Sequence, residues 1–298
     1  MKPSFAIVGC GKVGTALGIF LTGAGYRAAG FTSKSLSSAK RVADIIQSDH
    51  FSDVPWEITR NADVVFITTP DGAITDTCNS IARNRGFANN AVVLHCSGAL
   101  PSTILSIAKK CGAFIGSMHP LQSFASADYD TNPFQGIIVS LEGEDYAVKM
   151  AKEIVTDLGG TSVSILTEAK TLYHASAVVA SNYLVTLLDL AFRLIGAAGI
   201  AGRDAFDVLK PLIEGTLSNI EKAGIPEALT GPIVRGDVKT VEKHVEEIGL
   251  KTPELLDLYK TLGFYTIDIA KARGTISESS TQQLKRITAQ KCKVPKVN

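Results

Sequence analysis

The sequence is poor in several things at once. Cysteine is scarce and odd in number: Cys10, Cys78, Cys96, Cys111 and Cys292, with no C-x-x-C pair among them. A secreted disulfide scaffold and a structural zinc site are therefore not expected, no metal site is assigned, and a reducing cytoplasm fits better. Each cysteine reads as a small apolar packing residue. Surplus charge is also missing. Lys plus Arg is 30 and Asp plus Glu is 29, a net charge of +1, which leaves no cationic excess to neutralise a run of phosphates and argues against nucleic acid as a partner. Long apolar runs are absent near the N-terminus. Ile7-Val8-Gly9-Cys10 has the look of a lipoprotein cleavage site, but the apolar stretch before it is far too short for a signal sequence. Val13–Tyr26 is uncharged yet carries four glycines and falls short of the ~20 apolar residues of a membrane span. No membrane association is expected.

What remains is the composition of a folded protein, 45% hydrophobic and 20% charged, which excludes global disorder. The length of 298 residues allows about two domains. Short apolar runs at Ser4–Val8, Arg27–Phe31, Asp63–Thr68, Ala91–Cys96, Ala113–Met118, Gly136–Leu141 and Thr161–Leu166 read as strands, most of them separated by helical patterning such as Lys12–Ala24 and Leu36–Gln47, the latter with Ser35 as its cap. Strands alternating with helices predict an α/β fold with a doubly wound, Rossmann-type parallel sheet. After Leu166 only helical patterns follow: Glu168–Gly196, Arg203–Ala223, Val238–Ile248 and Pro253–Arg273. The expected division is a dinucleotide-binding domain over 1–166 and an all-helical domain over 167–298, with a basic tail, Lys291–Asn298, that frays.

Gly9-Cys10-Gly11-Lys12-Val13-Gly14 is a G-x-G-x-x-G that follows a strand and opens a helix, the context in which this pattern binds a dinucleotide. Gly9 makes the turn, Gly11 admits a pyrophosphate and Gly14 lets the helix pack closely, while Lys12 and Val13 begin a helix whose N-terminus favours phosphate. The usual carboxylate for an NAD ribose is missing at the end of the second strand. There the chain reads Phe31-Thr32-Ser33-Lys34-Ser35, and the first carboxylate is Asp44. Ser33 and Lys34, with Lys40 or Arg41 reaching over, suit the 2′-phosphate of NADP. Ligands of such sheets bind at the carboxyl ends of the strands, which adds Thr69, Pro70, His95 and Ser97 as cofactor contacts and His119 as a substrate contact.

On the long helix after the boundary, Lys170, His174, Ala177 and Ser181 fall within about 40° of one another at 100° per residue, with Asn182 some way round. Val178–Val179, Leu184–Val185 and Leu187–Leu188 predict burial on several sides. A lysine facing a nucleotide crevice suits a general acid for hydride reduction of a ketone. Lys170 and His174 are thus the candidate catalytic residues, with Ser181 and Asn182 orienting the substrate. A first-turn surface lysine remains the plain alternative.

Six stretches, GCGKVG (9–14), TTPDGAI (68–74), HCSGALPSTIL (95–105), GSMHPLQSF (116–124), KTLYHASAVVASNYLVTLLD (170–189) and ALTGPIVRGD (228–237), resemble the Rossmann-like proteins allied to pyrroline-5-carboxylate reductase and 6-phosphogluconate dehydrogenase, in the subgroup with a C-terminal domain of unknown function. The resemblance implies an NADP-dependent oxidoreductase whose helical half, of the 6-phosphogluconate-dehydrogenase type, forms a homodimer. Some members of the subgroup act as an alternative ketopantoate reductase in pantothenate synthesis, so the resemblance implies 2-dehydropantoate as the leading substrate. Lys170 matches the family's helix lysine. Four residues on stands His174 where relatives place asparagine, and the nearest asparagine is Asn182. Arg235 is a candidate partner for a substrate carboxylate, with a helix-terminus surface arginine as the equal alternative. Reduction of a cyclic imine, or NADP binding without catalysis, stand as the other readings.

Overall fold

The computed structural model describes residues 2–124, 131–200 and 202–289, so Cys292 and the basic tail lie outside the described residues. The chain divides into two compact units, Met1–Ala180 and Ser181–Asn298. In the first, eight strands alternate with helices: β1 Ser4–Val8, α1 Lys12–Gly23, β2 Arg27–Thr32, α2 Leu36–Ile45, β3 Phe51–Ser52, α3 Pro55–Thr59, β4 Val64–Ile67, α4 Asp71–Arg83, β5 Val92–His95, α5 Ser106–Lys110, β6 Phe114–Pro120, β7 Ile138–Gly143, α6 Asp145–Asp157, β8 Thr161–Ser164 and α7 Lys170–Val178. All seven strands read from the sequence are present. β3 and α3 are additions, too short to produce a periodic signal. Ser35 stands at the N-cap position of α2, but its side chain makes no capping hydrogen bond and pairs with Ser37 Oγ instead.

The strands form one sheet in the order β3-β2-β1-β4-β5-β6-β7-β8. β1 is buried along its whole length because helices cover both faces of the sheet. Phe5 and Ile7 join Leu17, Leu21, Phe31 and Phe66 on one side, while Ala6 and Val8 join Ile58, Ile74, Cys78 and Ile81 on the other. The expected all-parallel sheet needs one correction: β7 runs antiparallel to β6. A parallel return requires a crossover, usually helical. No helix occurs among the described residues between β6 and β7, so the chain turns back beside β6, and β8 then pairs parallel to β7.

The first unit reaches Ala180, past the boundary expected at Thr167, because α7 carries Lys170 back against the sheet. A π-turn, Val179–Tyr183, follows α7. The second unit contains α8 Leu184–Ala197, α9 Arg203–Ala223, α10 Ile225–Ala228, α11 Val238–Lys251, α12 Leu256–Arg273 and α13 Glu278–Thr288, and no strand among the described residues. Its buried clusters are small: Leu190, Ile248 and Leu255 in one, Val241, Ile267 and Leu284 in the other. The burial expected along the long helix is largely absent from the single chain. Val179 is 57% exposed, Val185 68% and Leu187 42%, and Leu190 is the buried residue of α8. The apolar pattern that predicted burial therefore forms an exposed apolar surface among the described residues. Thr167–Ala197 is long and apolar enough to cross a membrane by length and composition, with a mean hydropathy of 1.6.

Candidate functional site

The strand order reverses between β1 and β4, and at such a switch point the loops leaving the two strands diverge and open a crevice. A cleft of about 1100 Å³ lies there, lined by Gly9 to Val13, by Thr32, Ser33 and Lys34, by Thr68, Thr69 and Pro70, and by Asp53, Asp76 and Phe124 among others. The glycines divide the work as the sequence implied. Gly9 has φ +108°, and a Cβ there would lie 2.8 Å from the backbone at Thr68 and Thr69. A Cβ on Gly14 would lie 2.1 Å from the Gly9 carbonyl oxygen. A Cβ on Gly11 would meet nothing within 4 Å, so the middle glycine faces open space. Thr68 Oγ1 donates to the Gly9 carbonyl at 2.6 Å, and Gly9 N–H donates to Thr32 O at 2.7 Å, which pins the turn to β4 and β2. No side chain caps α1.

Two residues that line the cleft, Thr32 and Thr69, carry buried hydroxyl oxygens without a hydrogen-bond partner. Buried polar groups are nearly always paired, so these orphans fit a site completed by a polar ligand. Together with the open face of Gly11, they fit a dinucleotide. Ser33 and Lys34 line the same cleft, and Arg41 Nη2 reaches the Cys10 carbonyl of the fingerprint turn at 3.5 Å. Lys40 is exposed on α2.

His95 and Ser97 are not among the residues lining this cleft, contrary to expectation. Ser97 Oγ donates to Asp71 Oδ2 at 2.9 Å and accepts from the backbone of Ala99 and Leu100, so it ties the turn after β5 to the start of α4. His95 is fully buried. Its Nδ1 accepts the Ser97 N–H at 3.1 Å, which assigns the ring proton of the neutral form to Nε2.

A second group of polar residues occupies the same unit. His95, Ser117 and Glu142 are direct neighbours across β5, β6 and β7, so their side chains share one face. His119, two residues beyond Ser117, shares that face and pairs with Ser140. Lys170 Nζ donates to Ser117 Oγ and lies 3.5 Å from Glu142 Oε1. The spacing explains the match. Four residues of helix rise about 6 Å and two residues of strand about 6.7 Å, so when Lys170 meets Ser117, His174 comes level with His119. The His119 and His174 ring centroids are 6.0 Å apart, and Tyr173 Oη is 3.5 Å from His119 Nδ1.

Glu142 carried no signal in the sequence, and Ser117 and Tyr173 lie in the stretches that carry the resemblance but were not singled out as site residues. Glu142 lies on β7, away from any motif, yet its carboxylate accepts from Ser102 N (2.8 Å), Ser102 Oγ (2.7 Å) and Thr167 Oγ1 (2.9 Å) besides facing Lys170. Lys170 is no surface lysine, but neither does it front a crevice: its side chain is 1% exposed. Burial lowers its pKa, and Glu142 works against that shift. Burial, followed by the Lys170 charge, pushes both His95 and His119 down to about 4. The Cys10, Cys78 and Cys96 thiols are pushed up to about 12 by burial, which leaves them inert packing residues at neutral pH.

Ser181, Asn182 and Arg235 belong to the second unit and are exposed. The 100° rule that aligned Ser181 with Lys170 assumes an unbroken α-helix. The π-turn at Val179–Tyr183 inserts a wider turn, and the periodicity ends there.

Comparison with known proteins agrees with this geometry. Residues 2–120 match a Rossmann-like domain, and residues 137–266 match a domain of unknown function, DUF2520. No curated protein matches the sequence. Among solved structures, protein TM1727 from Thermotoga maritima is similar at 27% identity, with 91% of this chain and 99% of that chain covered and a TM-score of 0.70. A reductive aminase from Aspergillus terreus in complex with NADPH and ethyl levulinate is similar at 13% identity, covering 96% and 99%, with a TM-score of 0.66. A pyrroline-5-carboxylate reductase from Coxiella burnetii is similar at 16% identity, covering 97% and 100%, with a TM-score of 0.57. Residues 2–120 are thus similar to one domain family and residues 137–266 to another, and the chain shares its fold with these solved structures.

Proposed function

We propose that this protein is an NADPH-dependent reductase of a small 2-oxo acid, with 2-dehydropantoate (ketopantoate) as the first substrate to test. The observation that carries the reading is the cleft at the switch point, where Gly11 faces open space and two buried threonine hydroxyls lack partners. Gly9, Gly11, Lys12 and Val13 would hold the pyrophosphate, with Thr32, Thr69 and Pro70 beside it. A dihydronicotinamide bound there supplies a hydride. The group of Lys170, His119, His174 and Tyr173 supplies the polar surroundings in which a carbonyl oxygen gains charge.

The choice of NADP rests on Ser33 and Lys34 in the cleft and on the lack of a carboxylate at the end of β2. Lys34→Ala is expected to weaken NADPH binding roughly tenfold, the scale of one charge-assisted hydrogen bond, and to leave NADH binding unchanged. Fluorescence titration reads both dissociation constants. Equal affinity of the unaltered protein for NADPH and NADH would remove the NADP assignment.

A second reading is favoured by one specific observation. Lys170 is sealed from solvent, and reduction of an iminium needs no acid at the reacting atom. An NADPH-oxidation assay with ketopantoate and pyrroline-5-carboxylate in parallel separates the two. Turnover of ketopantoate supports the first reading, and turnover of the imine alone supports the second. Tight NADPH binding without oxidation across a panel of 2-oxo acids and imines would leave a nucleotide-binding protein that is not an enzyme.

The proposal includes a cytoplasmic homodimer formed through the helical domain. It is supported by the exposed apolar side chains Val179, Val185 and Leu187, and by the free thiols of Cys10, Cys78, Cys96 and Cys111. A bilayer suits the same helix less well, because its first turn places Lys170 in an ion pair with a strand residue.

A further inference from the structure

Reduction of a ketone leaves an oxygen that must take a proton, and the lysine expected to provide it is sealed between Ser117 and Glu142. Beside it stand two half-buried imidazoles, His119 on the sheet face and His174 about one turn along α7. We propose that His119 is the proton donor that meets the reacting oxygen, that His174 and Tyr173 hold its ring, and that the Lys170–Glu142 pair is a positioning element behind them. The proposal rests on the reductase reading above and names the acid that reading lacks.

The step balances without further reagents. The carbonyl carbon gains the hydride, and the C=O π pair passes to oxygen. That oxygen forms an O–H bond as an N–H bond of the His119 imidazolium breaks, and the neutral ring regains its proton from water. The reductant is the dihydronicotinamide dinucleotide already invoked.

Three features support the assignment. The first is access: His119 and His174 are partly exposed, whereas Lys170 is not. The second is rigidity. The Gly98 backbone lies so close to both rings that a Cβ there would fall 2.5 Å from His174 Nδ1 and 2.7 Å from His119 Nε2, and the Tyr173 ring meets His119 edge-on at 5.9 Å. A fixed ring loses little entropy when it presents a proton. His174 Nδ1 is buried without a partner, a cost that packing on Gly98 maintains.

The third feature is electrostatic. The charged and titratable groups facing His119 are Lys170, Tyr173 and His174 from α7 and Asp71 from α4, with Glu142 reaching it only through Lys170. Burial and the Lys170 charge outweigh Asp71 and hold the ring near pKa 4. An imidazolium of that pKa gives up its proton readily, at the cost of being scarce at neutral pH.

The test combines kinetics with a measurement that needs no turnover. For the unaltered protein with NADPH and ketopantoate, kcat/KM is expected to fall about tenfold per pH unit from pH 5 to 8. His119→Asn keeps a hydrogen-bonding group but cannot titrate. It is expected to lose roughly 10²–10⁴-fold in kcat and to flatten the profile, with NADPH affinity unchanged. His174→Asn is expected to raise KM and keep the slope. Lys170→Met/Glu142→Gln, which removes the ion pair without stranding either partner, is expected to keep the slope and move it to higher pH. NMR titration of the His119 ring in the same double variant, with no substrate present, is expected to show its midpoint rising from about 4. Ordinary kcat in His119→Asn would overturn the proposal, as would a slope lost only in the lysine double variant or an unmoved NMR midpoint. If the unaltered protein binds NADPH but reduces no carbonyl, the reductase reading itself has failed and the donor assignment falls with it. That outcome is distinct from active protein whose histidine variants behave normally.

Discussion

Lys170→Met is expected to destabilise the protein by about 3–5 kcal/mol, the cost of stranding one member of a buried ion pair. Methionine keeps most of the volume and the apolar stem, so packing changes little. What changes is the Glu142 carboxylate. It keeps three neutral donors, from Ser102 and Thr167, and loses the one cation bonded to it among the described residues. At 1% side-chain exposure water cannot replace that cation. Adding Glu142→Gln removes the stranded charge, and the double variant is expected to recover most of the loss. Urea denaturation of the two single variants and the double closes the cycle, with a coupling energy of about 3 kcal/mol or more expected. If Lys170→Met costs under about 1 kcal/mol, the pair is not what pins α7 to the sheet.

Acid is expected to weaken the fold through His95 before most carboxylates titrate. The folded protein keeps this ring neutral down to about pH 4, while in the unfolded chain it takes a proton near 6.5. Between those values the unfolded state binds more protons. Stability is therefore full above pH 6.5 and falls as the pH drops toward 4, and the displacement corresponds to roughly 3 kcal/mol. Burial is the main cause, and the Lys170 charge adds to it. His95→Asn preserves an acceptor for the Ser97 N–H but cannot titrate. Urea unfolding of both proteins from pH 7 to 4 is expected to show a shallower loss for the variant. Parallel losses would mean that His95 is charged, or solvated, in the folded state.

Much of this architecture was legible in the sequence, and the reason is local. β1 and α9 match the sequence reading residue for residue, because an unbroken apolar run and a long amphipathic period need no distant partner to be recognised. The fingerprint was equally readable, since turn, open face and close packing depend on glycines a few residues apart. The misses were of another kind. β7 has strand composition, but its direction depends on whether a helix intervenes after β6. The π-turn at Val179–Tyr183 has no compositional mark, and it ends the α-helical period on which the stripe of Lys170, His174 and Ser181 was drawn. His95 sits at a strand end, as ligand residues do, but faces a packed interior.

By itself the sequence determined a dinucleotide-type α/β sheet followed by helices, the place of the phosphate-binding turn, and the lysine that begins the helical half. Only the tertiary structure decided what surrounds that lysine. Ser117 and Glu142 meet it across strands 53 and 28 residues upstream, because neighbouring strands place paired residues on one face whatever their separation in the chain. Whether an ammonium group faces water, a carboxylate or a crevice depends on those non-local pairings, and no local pattern of residues encodes them.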